Sequence, residues 1–360
     1  MKTLFSGAMC ATFACVVHAQ SSVTLYGVLD VGITAISNDG GHHTAVMDTG
    51  VLAPNLFGLK GSEDLGGGTQ VLFRLEGQFE VGTGALDGTF FGRQAWIGID
   101  NARYGTLTLG NQYEFMFMSL SVRRLGPELP YVSLTNLRQG PFDALGKPGP
   151  FSGDFDFDHT ADTSRMSNSI KYESPSINGL RFGAMYGFSN IAGSFSNRNA
   201  YSVGVDYEQP GYAVDAAYTM TKYAEINNGA DGIRNFGVGG RLAILSGWAD
   251  LLYTNTRNTF TGATINAVEV GGTVPVGPGA HLYAAYQYMK GNDALDNNQA
   301  HQVNLTLDYA LSKRTDVYAS AAWQHASGNA NTARAWIIFT AGPSSSGNQA
   351  ILRTGIRHFF

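Results

Sequence analysis

From Gln302 to Tyr309 polar and apolar residues take turns. Gln302, Asn304, Thr306 and Asp308 share one face, and Val303, Leu305, Leu307 and Tyr309 share the other. A period of two marks a strand lying between two unlike environments. The pattern recurs from residue 22 onward, as in Val71, Phe73 and Leu75 against Gln70, Arg74 and Glu76. Sixteen strands are predicted, at 22–35, 54–63, 69–81, 89–99, 106–114, 166–175, 180–190, 200–208, 212–223, 234–245, 248–258, 264–276, 280–290, 300–311, 315–325 and 349–360.

The connections are sorted by length. Seven short turns, carrying residues such as Gly66-Gly67-Gly68, Gln209-Pro210-Gly211 and Gly277-Pro278-Gly279, supply tight-turn backbone. Between them sit eight longer polar loops, at 36–53, 82–88, 115–165, 191–199, 224–233, 259–263, 291–299 and 326–348. An even number of strands, short turns at one rim and long loops at the other make the pattern of a transmembrane barrel. Sixteen strands closed on themselves enclose more space than side chains fill, so the interior holds water. The fold class is therefore all-β: a 16-stranded antiparallel transmembrane barrel with polar faces inward and apolar faces toward lipid. Tyr residues near strand ends, among them Tyr26, Tyr113, Tyr207 and Tyr309, suit the interfacial girdles, although strand propensity alone accounts for some of them.

Composition agrees. Charged residues make up 14% of the chain, Gly numbers 46 of 360, and no long apolar run follows the N-terminal segment. That segment, Met1 to Ala19, has one early Lys, an apolar stretch and Val17-His18-Ala19 at its end; it is a secretory signal peptide cut after Ala19. Residues 20–360 form the barrel domain, with 115–165 as its third loop. Both cysteines, Cys10 and Cys15, leave with the leader, so no disulfide is expected. A net charge of −5 argues against nucleic acid as a partner.

Several stretches in order, "SSVTLYGVLDVGI", "FGLKGSEDLGGGTQVLFRLE", "FFGRQAWIGI", "YGTLTLGNQYE", "SNSIKYESPSINGLRFGAMY" and "TGIRHFF", resemble the general porins of β-proteobacteria. The likeness covers the first 120 residues, 165–190 and the C-terminus, and is diffuse between. It departs at Leu56, where the family commonly has Arg, and in the length of the third loop. The resemblance implies a homotrimer in the Gram-negative outer membrane, surrounded by lipid and lipopolysaccharide. It implies passive diffusion of ions and small hydrophilic solutes through a water-filled channel. It also implies a third loop folded into the lumen and a terminal aromatic, Phe360, read by the outer-membrane assembly machinery.

On that frame the pore constriction is expected to have two sides. Lys60, Arg74, Arg93, Arg165, Arg353 and Arg357 supply a basic wall. Glu128, Asp143, Asp154, Asp156 and Asp158 of the third loop, with Asp162 beyond them, supply an acidic side. Facing charges of opposite sign make a transverse field that orients polar solutes and discriminates ions. The "DFDFDH" run also reads as an external loop tip, or as hard oxygen ligands for a divalent cation. No cofactor or resident metal is expected. The histidines are scattered, and neither a Ser/His/Asp set nor HExxH spacing is present, so no enzyme is expected. The alternative function is a substrate-specific outer-membrane channel or a surface-binding barrel; a soluble sandwich is more distant.

Overall fold

A computed structural model of the chain describes residues 22–149, 153–161, 163–329 and 331–360; the leader assigned to residues 1–19 lies outside them, as does Asp162. The strands are β1 Ser22–Asp39, β2 His42–Thr49, β3 Leu56–Gly66, β4 Thr69–Gln78, β5 Gln94–Asn101, β6 Gly105–Tyr113, β7 Arg165–Glu173, β8 Leu180–Gly187 and β9 Ala200–Gln209. They continue with β10 Tyr212–Lys222, β11 Gly232–Ile244, β12 Gly247–Asn258, β13 Thr264–Gly277, β14 Ala280–Gly291, β15 Gln299–Ala310, β16 Thr315–Ser327 and β17 Asn348–Phe359. Successive strands pair antiparallel, and β17 returns to β1 from Val28↔Phe359 to Ile36↔Ile351. Past that register Gly27 and Phe360 exchange both backbone hydrogen bonds at 3.1 Å. Closure matters because an open edge in hydrocarbon leaves backbone groups unpaired at several kcal/mol each. No described helix is long and apolar enough to cross a membrane; the chain crosses with strands.

The opening alternation resolves as expected. Val303, Leu305 and Leu307 are 38–45% exposed on the outside, whereas Gln302, Asn304 and Thr306 are 0–2% exposed inside. The short turns gather at one rim and the long loops at the other.

One wall position differs from expectation. The stretch 36–53, predicted as a loop, is mostly strand: β1 runs on to Asp39, turns at Gly40 and Gly41 (φ +61° and +105°), and comes back as β2. Both glycines occupy backbone that other residues rarely adopt. β1 pairs with β3 at Val28↔Leu56 and with β2 at Val31↔Thr49. β2 and β3 are thus two halves of one descending strand, separated by an inward bulge at 50–55. Seventeen segments make sixteen wall positions. β5 also starts later than predicted, at Gln94, so the second external loop spans 79–93 rather than 82–88.

Candidate functional site: the lumen and its inward loops

The third loop leaves β6 at Tyr113 and does not return until Arg165. Glu114 caps its first turn, accepting from the Met116 and Phe117 amides at 2.7 and 3.3 Å. The caps let a short helix at Phe115–Phe117 continue into a wider turn at Met118–Arg123. Phe115, Met116 and Leu120 are fully buried with Met185, Ala217 and Leu252 against the inner wall. Farther along, Phe142, Leu145 and Phe157 pack with Ile233, Ile265 and Met289. The glycines of the alternating strands make room for this packing. At Gly204 a Cβ would sit 2.5 Å from the Phe115 ring, and at Gly237 one would sit 2.6 Å from Leu120.

Charge fixes the loop where apolar contact stops. Glu269, on β13 and fully buried, is approached by Arg124 at 3.0 Å, Arg138 at 2.5 Å, and the amides of Asn136 and Gln287, each at 2.9 Å. Arg124 also pairs with Asp250, and Arg123 with Asp206 at 2.5 Å and Glu173 at 3.1 Å. The polarity is the reverse of expectation: at this face the loop supplies the arginines and the wall supplies the acids. Removing one partner from a buried pair leaves an uncompensated charge, at about 3–5 kcal/mol.

Four of the five acids predicted for the loop, Glu128, Asp154, Asp156 and Asp158, are fully buried and do not face the passage. Asp154 is fully buried and accepts from the amides of Gly140 and Phe142 at 2.9 and 3.1 Å. Asp156 accepts from the Ala161 amide at 2.8 Å and from the Thr163 hydroxyl. Asp158 bonds Thr254 at 2.8 Å and pairs with Arg138 at 3.2 Å. These three carboxylates hold the loop's own fold and its seat. Their alternative role as divalent-cation ligands fares no better, since no group of three suitable ligands is found among the described residues. Burial pushes the Asp154 and Asp156 carboxyls up to about 7. Glu128 is also fully buried, and burial together with the Asp250 carboxylate raises it to about 7. Asp143 is exposed.

The basic residues divide into two sets. Arg353 is fully buried between Asp48 at 3.1 Å and Asp30 at 3.5 Å, with Tyr318 Oη accepting from its Nε at 2.9 Å. Arg357 pairs with Asp316 at 3.1 Å and Asp308 at 3.7 Å. Both are wall braces, a correction to their placement in the constriction. Arg74, Arg93 and Arg165 instead border the part of the lumen that the loop leaves open, and Lys60, exposed, shares the Tyr26 ring with Arg74. Lys60 Nζ lies 5.0 Å over the Tyr26 ring, and Arg74 is 3.8 Å from Glu76 with its side chain 37% exposed. Arg93 donates to Tyr113 Oη at 2.5 Å and to Gln78, and Arg165 sits 5.6 Å from the Tyr113 ring.

Two chambers occupy this open side. The outer, about 1090 Å³, reaches Gln78, Asn55, Glu114 and Arg165; the inner, about 370 Å³, holds Glu76, Leu56, Tyr113, Arg93 and Arg74. They adjoin where neighbouring residues belong to either side, Gln78 with Glu76 and Glu114 with Tyr113.

Two further inward elements escaped the sequence reading. The 50–55 bulge is held by Asp30, which accepts from the amides of Leu52 and Ala53 at 2.5 and 2.8 Å, and Val51 accepts from the third loop's Leu134 amide at 2.8 Å. The eighth loop, 328–347, also turns in. Gln324 and Gln349 accept from the amides of Trp336 and Ile337, both at 2.7 Å, and Phe339 meets Phe155 edge to face at 5.3 Å. The one available signal was the pair of inward Gln residues opposite a Gly- and Ser-rich loop.

The sequence matches the family model of the Gram-negative porins over residues 6–329. It is 29% identical to an outer membrane porin of Bordetella pertussis, over 88% of this chain and 92% of the relative. Outer membrane porin protein 32 of Delftia acidovorans is also 29% identical, over 95% of either chain. Among solved structures, the anion-selective porin from Comamonas acidovorans superposes with a TM-score of 0.76 at 22% identity, covering 95% of this chain and all of the other. The trimer form of OmpT from Vibrio cholerae gives 0.64 at 15% identity, covering 94% and 99%.

Proposed function

The chain belongs to the Gram-negative porin family, an outer-membrane barrel whose water-filled channel passes solutes by passive diffusion, and from that premise we propose how it selects among them. The filter is the gap between the third loop and the β3–β6 wall, lined by Lys60, Arg74, Arg93 and Arg165, and it favours anions. One observation supports this reading: the loop's arginines neutralise the wall acids of the packed side, while Lys60 is exposed and Arg74, with its side chain 37% exposed beside the buried Glu76, borders the inner chamber together with Arg93. The Comamonas porin, described as anion-selective, supports it by likeness of fold. The working particle is a homotrimer, as in the trimeric Vibrio porin. Family members act as channels, and the enzyme reading is set aside. The reversal potential of the purified protein in a KCl gradient tests the proposal; a cation-selective sign would overturn it.

A second reading, a channel with a preferred solute, draws on the aromatic lining of the outer chamber, where Phe79, Phe155, Trp336 and Phe339 gather. Concentration-dependent current block by a small aromatic carboxylate, absent with a sugar of similar size, would favour it. Phe360 is proposed to mark the last strand for the assembly machinery, since its ring covers Gly27 at the barrel seam. Phe360→Ala should refold in detergent nearly as the parent, yet reach the outer membrane of cells in several-fold lower yield. Equal yield in cells would reduce Phe360 to an interfacial anchor.

A further inference from the structure

On β10–β16 the outward positions among the described residues carry charge only near the external rim. On β10–β16 the carboxylates Asp215, Asp250, Glu269, Asp308 and Asp316 all alternate inward and are buried. The outward positions of the same strands that carry charge are Lys222, Arg234, Arg257 and Lys290. All four are basic and all lie at the external ends of β10, β11, β12 and β14.

Arg234 and Arg257 stand directly opposite each other across the β11–β12 pair. Like charges in that position repel. The ion pairs found among the described residues use other cations, and Asp231, a carboxylate between β10 and β11 at the same rim, accepts from Asn227 and Thr259 at 2.7 and 2.9 Å. One of the two is nonetheless held in place. Arg234 donates to Asn255 Oδ1 and lies 5.4 Å over the Phe236 ring. Asn255 and Tyr253 both donate to Asn266 Oδ1 at 2.8 Å. The lysines are tied back, Lys222 to the Ser196 carbonyl at 2.7 Å and Lys290 to the Asn297 carbonyl at 2.6 Å.

Height decides what meets them. Below the arginines, and below the bonded Asn255 and Asn266 next to them, the outward residues are apolar: Val238 and Leu242 on β11, Leu251 on β12, Val268 and Val270 on β13. From Arg234 down to Leu242 is eight residues, which at about 3.3 Å each and a tilt near 40° spans roughly 20 Å of membrane. The arginine pair therefore tops the apolar band, level with the headgroups of the outer leaflet.

We propose that Arg234 and Arg257 form a lipid-binding site for the phosphate groups of the outer leaflet's phosphorylated glycolipid, flanked by Lys222 and Lys290. Paired guanidiniums hold a phosphate bidentately. They replace the divalent cations that otherwise bridge neighbouring anionic headgroups. The site rests on the outer-membrane location and is independent of the channel's ion preference. It also marks β10–β14 as a face turned toward lipid.

Native mass spectrometry of the detergent-solubilised protein tests this, with bisphosphorylated lipid A, its dephosphorylated counterpart and sodium phosphate as probes. The parent should retain the bisphosphorylated lipid about tenfold over the dephosphorylated one, with or without EDTA. Arg234→Gln with Arg257→Gln should abolish that preference, and the double Lys variant should keep part of it. Should the double Gln variant not fold, Arg257→Gln alone, at an exposed side chain, should weaken retention severalfold. Unchanged retention in the Gln variants overturns the site. So does loss of retention under EDTA, which would make a divalent cation the bridge, or displacement by millimolar phosphate, which would make it a free-anion site. Unaltered conductance and reversal potential in the Gln variants would show that any loss belongs to the lipid site and not to the filter.

Discussion

The two sides of the lumen use the same residue types in opposite ways. On the β8–β16 side, Arg123, Arg124 and Arg138 are spent on Asp206, Asp250 and Glu269, and the loop that carries them buries Phe115, Met116 and Leu120 against the inner wall. On the β1–β7 side, Lys60 and Arg74 stand over the Tyr26 ring, Lys60 exposed and Arg74 beside the inner chamber. An arginine count does not separate the two. What separates them is whether a carboxylate and a wall of side chains close over the guanidinium. A charge that is closed over acts on stability, and one left open acts on passing ions, because screening and dielectric differ between the two places.

Breaking the packed side should have the largest effect. Glu269→Ala strands Arg124 and Arg138 without their shared partner, at a cost of about 3–5 kcal/mol. The loop should detach, with larger and noisier single-channel conductance and faster proteolysis between Glu114 and Ser164. Conductance identical to the parent would mean that apolar packing alone seats the loop.

The open side responds in selectivity rather than stability. Lys60→Glu with Arg74→Glu should move the reversal potential toward cations. A unit charge about 6 Å from the ion path in water is worth roughly 0.7 kcal/mol, about threefold in local ion concentration. Melting in detergent should barely change, and a fixed reversal potential would place both side chains off the path.

Arg357→Gln sharpens the contrast. Buried against Asp316 and Asp308, it should lower heat stability by an amount typical of a broken buried pair while leaving selectivity where it was. A selectivity shift as large as that of the Lys60 and Arg74 variant would erase the division between the two sides.

The smallest effect is on pH. Asp154 and Asp156 have folded values near 7, above the ordinary carboxylate range. The folded loop therefore binds protons more readily than the unfolded chain, so this contribution is complete below about pH 4 and is lost as pH rises through 7. Protease resistance of the loop should be modestly greater at pH 5 than at pH 8, and Asp156→Asn should flatten that difference. A steeper pH dependence in the variant would refute the assignment.

How much of this was legible follows from range. Glu269 could be placed inside the barrel from the alternation of "NAVEVGG", but its partners Arg124 and Arg138 are more than 130 residues away and come from a loop with no period. The acidic run Asp154, Asp156 and Asp158 looks like lumen chemistry because acids are usually solvated; backbone amides at 140, 142 and 161 satisfy the first two instead, and Thr254 and Arg138 satisfy Asp158. Gly204 and Gly237 read as strand glycines without a purpose until Phe115 and Leu120 fill the space a Cβ would take.

By itself the sequence determined the barrel: strand number, which face meets lipid, which rim carries the long loops, and the pairing of the last strand with the first. These follow from a period of two and from turn chemistry, both readable within ten residues, together with the demand that hydrocarbon leave no backbone group unpaired. Only the tertiary structure decided which charges are free. Burial and pairing are properties of what a loop touches across a lumen, and nothing local in 115–165 encodes the distance from Arg124 to Glu269. The same holds for the bulge at 50–55, for the eighth loop's turn inward, and for the demotion of Arg353 and Arg357 from pore lining to brace.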